Sequence, residues 1–442
     1  MFDALFVPDG ARAALGDRAW VQAMLDAERA LAAAGAEAGV VPASAASAIA
    51  EVCSADLFDA VEIAIAARLV GNPAEPLVRA LRERVGGEPA AYVHHGATSQ
   101  DIVDTAAMLV ARRVLDLLLV DVDAVADACA TLTRTYRDTP MVARTLMQQA
   151  LPTTFGLKTA GWLVGLVESR RLLVGARARL AVQLGGAAGT LASLGDAGPQ
   201  VLAAMARELD LVEPTIPWHT TRVRVAELAA ALVAVSGALA KIALDIVLLA
   251  QTEVGELAER SGDGRGASST LPHKRNPVGS TLTIACARRV EVFAGLLAGG
   301  PPHEHERAAG TWHAEWEGLE GVLGSTAGAA SALRGVLEGL EVDERRMREN
   351  LELTRGLIMA ERVQQLIADG VGRMAAREIV SAAAARTSER RTLFADELRA
   401  DDRMPLGPDE LADALDPVTY LGSAGVFADR ALDVWSKAQL EL

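Results

Sequence analysis

The chain has 442 residues and a formal net charge of −15, with 51% hydrophobic and only 4% aromatic residues. An acidic balance without a long acidic run argues against nucleic acid or an anionic membrane surface as a partner. The three cysteines are widely spaced, which indicates free thiols rather than a disulfide framework or a metal site. No signal peptide is predicted, and the most apolar stretch, 228–240, is too short to span a bilayer. These features predict a soluble cytoplasmic protein.

The apolar content is mostly Ala, Leu and Val, which favours closely packed helices over strands. Residues 1–97 show short helical repeats with frequent breaks and predict an N-terminal helical domain. Residues 98–342 predict a central bundle, because helices of about 30 residues are well above the globular mean. Its long helices are predicted at 98–136, 153–184, 222–259, 277–298 and 312–340. Shorter helices over 343–442 predict a C-terminal domain, so the fold class is all-α with three helical domains.

Two predictions concern the faces of these helices. Five aspartates between Asp104 and Asp127 leave the apolar periodicity of the first long helix intact, so we expect them on solvated edges. The helix at 222–259 is apolar on nearly every face, and such a helix is normally buried on every face. Several helices of this kind indicate bundles that pack on other chains, so a homo-oligomer is expected.

Polar clusters interrupt the apolar helices, and six of the seven histidines fall in them. The clusters are 92–101, 144–150, 218–222 and 301–316. Each has a purely structural interpretation: Thr98 with Asp101 fits a helix capping box, and 144–150 fits a polar turn. In the functional interpretation, hydroxyls at a helix N-terminus hold a carboxylate and a histidine donates a proton. His303, Glu304 and His305 do not match a known metal-ligand spacing, so no metal is expected.

The remaining histidine lies in a small, polar and basic loop, 266–277, between two apolar segments. Asn276 followed by Pro277 predicts a helix N-cap and first helical residue. The loop would then present Lys274 and Asn276 at a helix N-terminus, which favours anions.

Residues 267–276 of this loop read Ala-Ser-Ser-Thr-Leu-Pro-His-Lys-Arg-Asn. This resembles the fumarase/aspartase superfamily signature Gly-Ser-Ser-x-Met-Pro-x-Lys-x-Asn, with Ala for Gly and Leu for Met. Residues 98–101 and 144–150 resemble the other two signature regions of that superfamily. The resemblance implies three all-helical domains with a long central bundle. It also implies a homotetramer in which each active site is shared by three chains.

Within the superfamily, the chain is most similar to the bacterial cycloisomerase branch. The similarity lies in 95–101, 148–158, 185–192 and 312–317 and extends over most of the chain. It implies lactonisation of 3-carboxy-cis,cis-muconate to 4-carboxymuconolactone in protocatechuate catabolism, with a small polycarboxylate substrate and no cofactor.

Two departures from the superfamily pattern bear on the chemistry. Fumarase-like members carry Thr-His where this chain has Thr145-Leu146, and they pair that His with a Glu at the position of Thr281. Poor leaving groups such as hydroxide or an amine need such an acid. In the reverse of lactonisation the leaving group is a carboxylate, whose conjugate acid has a pKa of ~4, so it leaves without protonation. The loss fits a cycloisomerase. It fits equally a lyase that releases fumarate and an acidic leaving group, such as nitrite, from a substituted succinate.

The resemblance also implies roles for individual residues. Ser268 would transfer the proton, with the adjacent Ser269 as the alternative, and Lys274 and Asn276 would stabilise the developing negative charge. The candidates for binding substrate carboxylates are Thr98, Ser99, Gln148 and Arg307, with His94 and His95 as possible donors. Adenylosuccinate lyase is disfavoured because its catalytic histidine positions are not matched. A structural protein on a lyase scaffold is disfavoured because the residues of the loop are intact.

Overall fold

The computed structural model describes residues 3–260, 266, 271, 273–298 and 302–440. The predictions for Ser268 and Ser269 lie outside these residues. The described chain is predominantly helical and contains two small two-stranded sheets, which confirms the all-α class.

The helices of the N-terminal region are α1 (Asp3–Phe6), α2 (Asp9–Leu15), α3 (Asp17–Glu37), α4 (Ala43–Glu51), α5 (Ala60–Val70) and α6 (Ala74–Val85). They are short, as predicted, except α3, which has 21 residues. Asp59 caps α5 by accepting from the backbone N–H groups of Val61 and Glu62, and Gly71 ends that helix in the left-handed conformation.

All five predicted long helices are present. They are α7 (Ser99–Thr135), α8 (Phe155–Arg177), α10 (Val223–Leu249), α11 (Val278–Ala298) and α12 (Thr311–Leu337), with the shorter α9 (Gly198–Leu209) between α8 and α10. The predicted ends of α8 and α10 were too far along the chain, because the apolar composition continues past each helix. The capping box is confirmed on one side, since the Asp101 carboxylate accepts from the backbone N–H of Thr98 at 2.9 Å.

The segment predicted as a polar turn before a helix is instead a β-hairpin. Strands β1 (Pro140–Thr145) and β2 (Gln148–Thr154) pair antiparallel. Leu146 and Met147 form its two-residue turn, both with positive φ, as two-residue hairpin turns often require. The sequence did not indicate strands here because the turn lacks Asn or Gly and β2 contains a proline. A second pair joins β3 (Leu257–Ala258) to β4 (Glu341–Val342).

The C-terminal helices are short, as predicted. They are α13 (Glu344–Leu351), α14 (Ala360–Val371), α15 (Arg373–Arg390), α16 (Phe394–Arg399), α17 (Pro408–Ala414) and α18 (Ala424–Leu440). Val363, Ile379, Phe394, Leu398 and Leu411 form a buried core among α14 to α17.

The chain divides into two compact units. The first unit comprises Met1–Asp123, Glu168–Ala240 and Leu282–Leu333, and the second comprises Ala124–Val167, Lys241–Thr281 and Arg334–Leu442. The core of the first unit packs α3, α6, α9 and the start of α7 together through small and branched apolar side chains.

Two predictions about helix faces need correction. Asp104 is 2% exposed and therefore lies in the interior rather than on a solvated edge. Helix α10 is not buried on every face of the single chain, because Val233, Gly237 and Leu244 form an exposed stripe. Among the helices of the described ranges, only α10 is long and apolar enough to cross a membrane by length and composition. Half of its most apolar window is buried within the chain, and core helices of soluble proteins meet the same criterion.

Candidate active site

Two of the predicted carboxylate-binding residues meet in the first unit. Arg307 donates from Nη1 to Thr98 Oγ1 at 2.8 Å. Its Nη2 lies 3.3 Å from the carbonyl oxygens of Gly186 and Ala187. These acceptors are neutral, and within the described part of the chain no carboxylate pairs with Arg307. The guanidinium therefore keeps a positive charge that an incoming anion can neutralise.

Asp101, in the first turn of α7, connects this arrangement to the glycine-rich segment 185–189. Besides the N–H of Thr98, its carboxylate accepts from the N–H groups of Gly185 and Gly186 at 3.0 and 2.9 Å. The ring of His219 lies 2.6 Å away through Nε2. Asp101 and His219 are both buried, so Asp101 fixes the glycine-rich segment against the helix start and His219 serves as its partner.

A buried ionic cluster supports the segment that carries Arg307. Arg222 donates to Asp104 at 2.7 and 2.9 Å and to Glu315 at 2.5 to 3.1 Å. His303, four residues before Arg307, places Nε2 3.2 Å from Glu315. Burial lowers the pKa of Arg222, but the two carboxylates raise it more, so it stays protonated. The cluster therefore ties the Arg307 segment to α7, α10 and α12.

The two predicted histidine donors have different surroundings. His94 has a φ of 64°, and its Nδ1 lies 2.5 Å from the Oε1 of Glu28. Burial lowers the pKa of His94, but Glu28 raises it more, and the net effect is an increase above the ordinary value. Within the described ranges His95 has no such partner, and it packs edge-on against Tyr92, with ring centroids 6.1 Å apart. Ser99 is the first residue of α7 and is half-buried.

The loop residues predicted to stabilise charge lie in the second unit. Lys274 is exposed and forms no ion pair with any described residue. Its neighbour Arg275 is bound to both carboxylate oxygens of Glu341 at 2.8 and 2.7 Å. Asn276 donates from Nδ2 to the carbonyl of Gly266 at 3.2 Å, which joins the two ends of the loop. Lys274 is thus the available cation of this pair, and Arg275 is structural.

The helix N-terminus behind this loop differs from the prediction. Helix α11 begins at Val278, one residue after Pro277, and the carboxylate of Glu259 already occupies its N-terminus. Glu259 accepts from the N–H groups of Gly279 and Ser280 at 3.0 and 2.8 Å. The expectation that these N–H groups bind an anion from outside the chain was therefore wrong, because the chain supplies its own.

The hairpin carries Gln148 and a buried anchor. Arg144 donates to Glu256 at 2.7 and 3.0 Å, and Glu256 is fully buried. Asn350 donates to the same carboxylate at 2.7 Å. Gln148 is exposed, and its amide contacts only the carbonyl of the preceding Met147, at 3.3 Å, among the residues described. The amide of Gln148 is therefore free to bind a ligand.

Neither position of the missing acid pair can supply a proton. Leu146 is 97% exposed at the tip of the hairpin. The hydroxyl of Thr281, in the first turn of α11, donates at 2.8 Å to the carbonyl of Pro277, which directly precedes that helix. The structure therefore agrees with the sequence that no ionisable side chain stands at either position.

Several supporting residues were not identified from the sequence. Glu28 lies on the buried face of an amphipathic helix, and its partner His94 is 66 positions away. Glu256 and Glu259 lie beyond the end of α10, in a segment where the sequence predicts that this helix continues. Only Asp101 had a local signal, the capping-box spacing.

Comparison with known proteins agrees with this architecture. A family model described as lyase matches residues 7–291, and one described as adenylosuccinate lyase C-terminus matches residues 356–431. The chain belongs to the lyase family of the fumarase/aspartase superfamily. This confirms the resemblance inferred from the three motifs.

Individual members of the lyase family are similar over nearly the whole chain. A 3-carboxy-cis,cis-muconate cycloisomerase of Bradyrhizobium diazoefficiens is 45% identical over 96% of this chain and 95% of its own. A nitrosuccinate lyase of Streptomyces davaonensis is 45% identical over 95% of this chain and 91% of its own. The crystal structure of the 3-carboxy-cis,cis-muconate lactonizing enzyme of Pseudomonas putida superposes with a TM-score of 0.94, 41% identity and 99% coverage of both chains. The chain is thus an enzyme of this superfamily.

Proposed function

We propose that this enzyme is a cofactor-independent cycloisomerase that converts 3-carboxy-cis,cis-muconate to 4-carboxymuconolactone in protocatechuate catabolism. The similarity to the Bradyrhizobium and Pseudomonas enzymes supports this substrate. The observation that supports a leaving group that departs without protonation is the missing acid pair, with Leu146 at a solvent-exposed hairpin tip and the Thr281 hydroxyl bound to the carbonyl of Pro277. Lactonisation needs no such acid, because its reverse expels a carboxylate.

In the proposed reaction one substrate carboxylate oxygen attacks the conjugated diene and forms the new C–O bond. The electron pair moves onto a second carboxylate, which becomes an aci-carboxylate. Lys274 and Asn276 stabilise that charge. Ser268, or Ser269 in its place, then delivers a proton to the carbanion carbon, and a proton from solvent restores the serine hydroxyl. The attacking carboxylate loses its charge in the lactone, so the reaction takes up this one proton and needs no other co-reactant.

The remaining candidates bind the substrate carboxylates. Arg307 has no carboxylate partner among the described residues and is held by Thr98, which suits it to an external carboxylate. Ser99, at the first position of α7, and Gln148, with its available amide, add neutral donors. His94 and His95 complete the set as further donors.

A second candidate is elimination of nitrite from nitrosuccinate to give fumarate. Its support is the 45% identity to the Streptomyces nitrosuccinate lyase, which equals that to the cycloisomerase. Nitrite is also an acidic leaving group, so the missing acid pair is compatible with this reaction.

Two assays of the purified enzyme separate the candidates. With the muconate triacid, lactonisation removes the absorbance of the conjugated diene. With nitrosuccinate, elimination produces fumarate and nitrite in equal amounts. The cycloisomerase proposal is wrong if the enzyme turns over nitrosuccinate and leaves the diene intact.

The role of Ser268 is tested by Ser268→Ala, with Ser269→Ala as the matched control. Removing a group that transfers the proton should lower kcat by roughly 10²–10⁴. If Ser268→Ala stays within about tenfold of the parent enzyme and Ser269→Ala does not, the neighbouring hydroxyl carries the proton.

We further propose that the enzyme is a cytoplasmic homotetramer with shared active sites. Exposed apolar side chains on the long helices support association, since lone chains rarely leave such stripes in water. They include Leu117, Val120, Leu172, Val233, Leu244 and Val292. The three cysteines are free and buried, which suits a reducing compartment. Light scattering should give a mass about four times the 46.2 kDa of the chain, and a monomer would refute this assembly.

A further inference from the structure

His94 is one of the proposed carboxylate donors, whereas its buried partner Glu28 has no role in the proposed reaction. Glu28 is 1% exposed in the middle of α3, and its Oε2 has no hydrogen-bond partner among the described residues. An unpaired buried carboxylate is costly, so its partner should carry a full positive charge. The only described partner is His94 Nδ1, at 2.5 Å.

The geometry also determines which nitrogen of His94 is left for a ligand. Because Nδ1 faces a carboxylate that can only accept, it must carry a hydrogen. The ring is 14% exposed, and no described residue bonds to Nε2. A histidine charged at Nδ1 by a carboxylate presents its Nε2–H as a charged donor. The positive φ of His94 holds the ring at this turn, four residues before Thr98.

We infer that Glu28 is a positioning residue that keeps His94 cationic and directs its Nε2–H to a carboxylate of the substrate. His94 would then bind charge and would not act as a general base. This inference rests on the proposed function for the identity of the substrate, although the charge of His94 can be measured without it. It also explains why the buried face of α3 contains a glutamate.

Other charged groups around His94 adjust the balance. Asp101, on α7, adds to the negative potential, while Arg82, on α6, opposes it and donates to the carbonyl of Val93 at 3.1 Å. Burial lowers the pKa of His94, but Glu28 and Asp101 together outweigh burial and Arg82, so this pKa lies above its ordinary value of 6.5. His94 is therefore charged below its raised pKa, and anion binding weakens as the pH rises through that value.

The variant Glu28→Gln tests the inference because it keeps the shape and the hydrogen bond but removes the charge. Glu37→Gln is the matched control, since it makes the same change at an exposed position of the same helix, where Glu37 pairs with Arg207. Two quantities are measured: the pKa of His94, from enzyme labelled with ¹³Cε1-histidine, and the dissociation constant of propane-1,2,3-tricarboxylate between pH 5.5 and 8.5. His94→Asn assigns the signal and tolerates the left-handed backbone.

We expect Glu28→Gln to lower the pKa of His94 by at least about one unit, a tenfold change in its protonation equilibrium. The dissociation constant of this variant for the tricarboxylate should equal that of the parent at pH 5.5, where His94 is charged in both enzymes. At pH 7.5 the variant should bind the tricarboxylate about tenfold more weakly than the parent. Glu37→Gln should behave like the parent enzyme. Glu28→Asp, which retains the charge at a longer distance, should give an intermediate pKa and serves if the glutamine variant does not fold.

Three results would overturn the inference. They are an unchanged His94 pKa in Glu28→Gln, a loss of affinity that is equal at every pH, and a parent enzyme that does not bind the tricarboxylate. The second result would identify Glu28 as a purely structural anchor. By contrast, an enzyme that binds the tricarboxylate with this pH dependence but neither lactonises the triacid nor cleaves nitrosuccinate would refute the proposed function alone.

Discussion

Replacing Arg222 with methionine tests whether the buried ionic cluster stabilises the first unit. The side chain of Arg222 is 10% exposed and lies between the side chains of Asp104 and Glu315, which are 3% and 6% exposed. Its guanidinium also lies 4.8 Å from the ring centroid of Trp218. Methionine has a similar volume, so the substitution removes charge and hydrogen bonds while largely preserving the packing.

The expected loss follows from what the two carboxylates retain. Removing one partner of a buried ion pair typically costs 3–5 kcal/mol, because the remaining charge stays buried, so we expect a loss of about 4 kcal/mol. Asp104 still accepts from Trp312 Nε1 at 3.0 Å and Gln100 Nε2 at 3.1 Å. Glu315 retains, among the described residues, only His303 at 3.2 Å. Glu315→Gln should therefore rescue Arg222→Met by more than Asp104→Asn does.

The assay is urea unfolding followed by tryptophan fluorescence, which reports on Trp218 beside the cluster. Arg29→Met is the matched control, because Arg29 pairs with Glu208 at 2.7 Å where the two side chains are 38% and 40% exposed. Such a surface pair should cost at most about 1 kcal/mol. If Arg222→Met loses no more free energy of unfolding than Arg29→Met, the reasoning about buried charge is refuted.

Other predictions concern the loop, helix α11 and the thiols. Lys274→Ala should lower kcat by roughly 10²–10³, as expected for a group that stabilises developing charge. Arg275→Ala should instead reduce thermal stability, with a smaller effect on kcat. Equal losses of kcat in the two variants would contradict these roles. Glu259→Gln should destabilise the start of α11 by about 1 kcal/mol in thermal unfolding, and an unchanged melting temperature would show that the cap is not needed. Burial raises the pKa of Cys286 to about 11 and that of Cys53 to about 12, so both thiols stay protonated at pH 8. They should react with Ellman's reagent only after unfolding, and a fast reaction of the folded enzyme would contradict their burial.

The fold could be predicted from the sequence to the extent that its signals are local. The apolar periodicity of α7, α11 and α12 lies within each helix, and the short C-terminal helices are separated by glycine and proline breaks. The hairpin was missed because the turn at Leu146 lacks the usual Asn-Gly signal and Pro152 discourages a strand assignment. Its two strands are stabilised by pairing with each other across that turn, so neither segment by itself indicates a strand.

The motifs also led to the residue types of the candidate site, but not to their partners. Arg307 and Thr98 were both candidates, yet their contact joins positions 209 residues apart. Asp104 was assigned to a solvated edge because an aspartate in an amphipathic helix usually lies there. Its partner Arg222 is 118 positions away, and this pairing makes its burial possible.

The sequence by itself determined the all-helical class, the superfamily and the loss of the His–Glu acid pair, because each depends on residue identity or short-range spacing. Only the tertiary structure decided which charges are already neutralised. It paired Glu259 with the start of α11, Arg275 with Glu341 and Arg222 with two carboxylates. Arg307 and Lys274 were left without carboxylate partners among the described residues. Charge pairing depends on distances of a few ångströms between residues far apart in the chain, and only folding sets those distances.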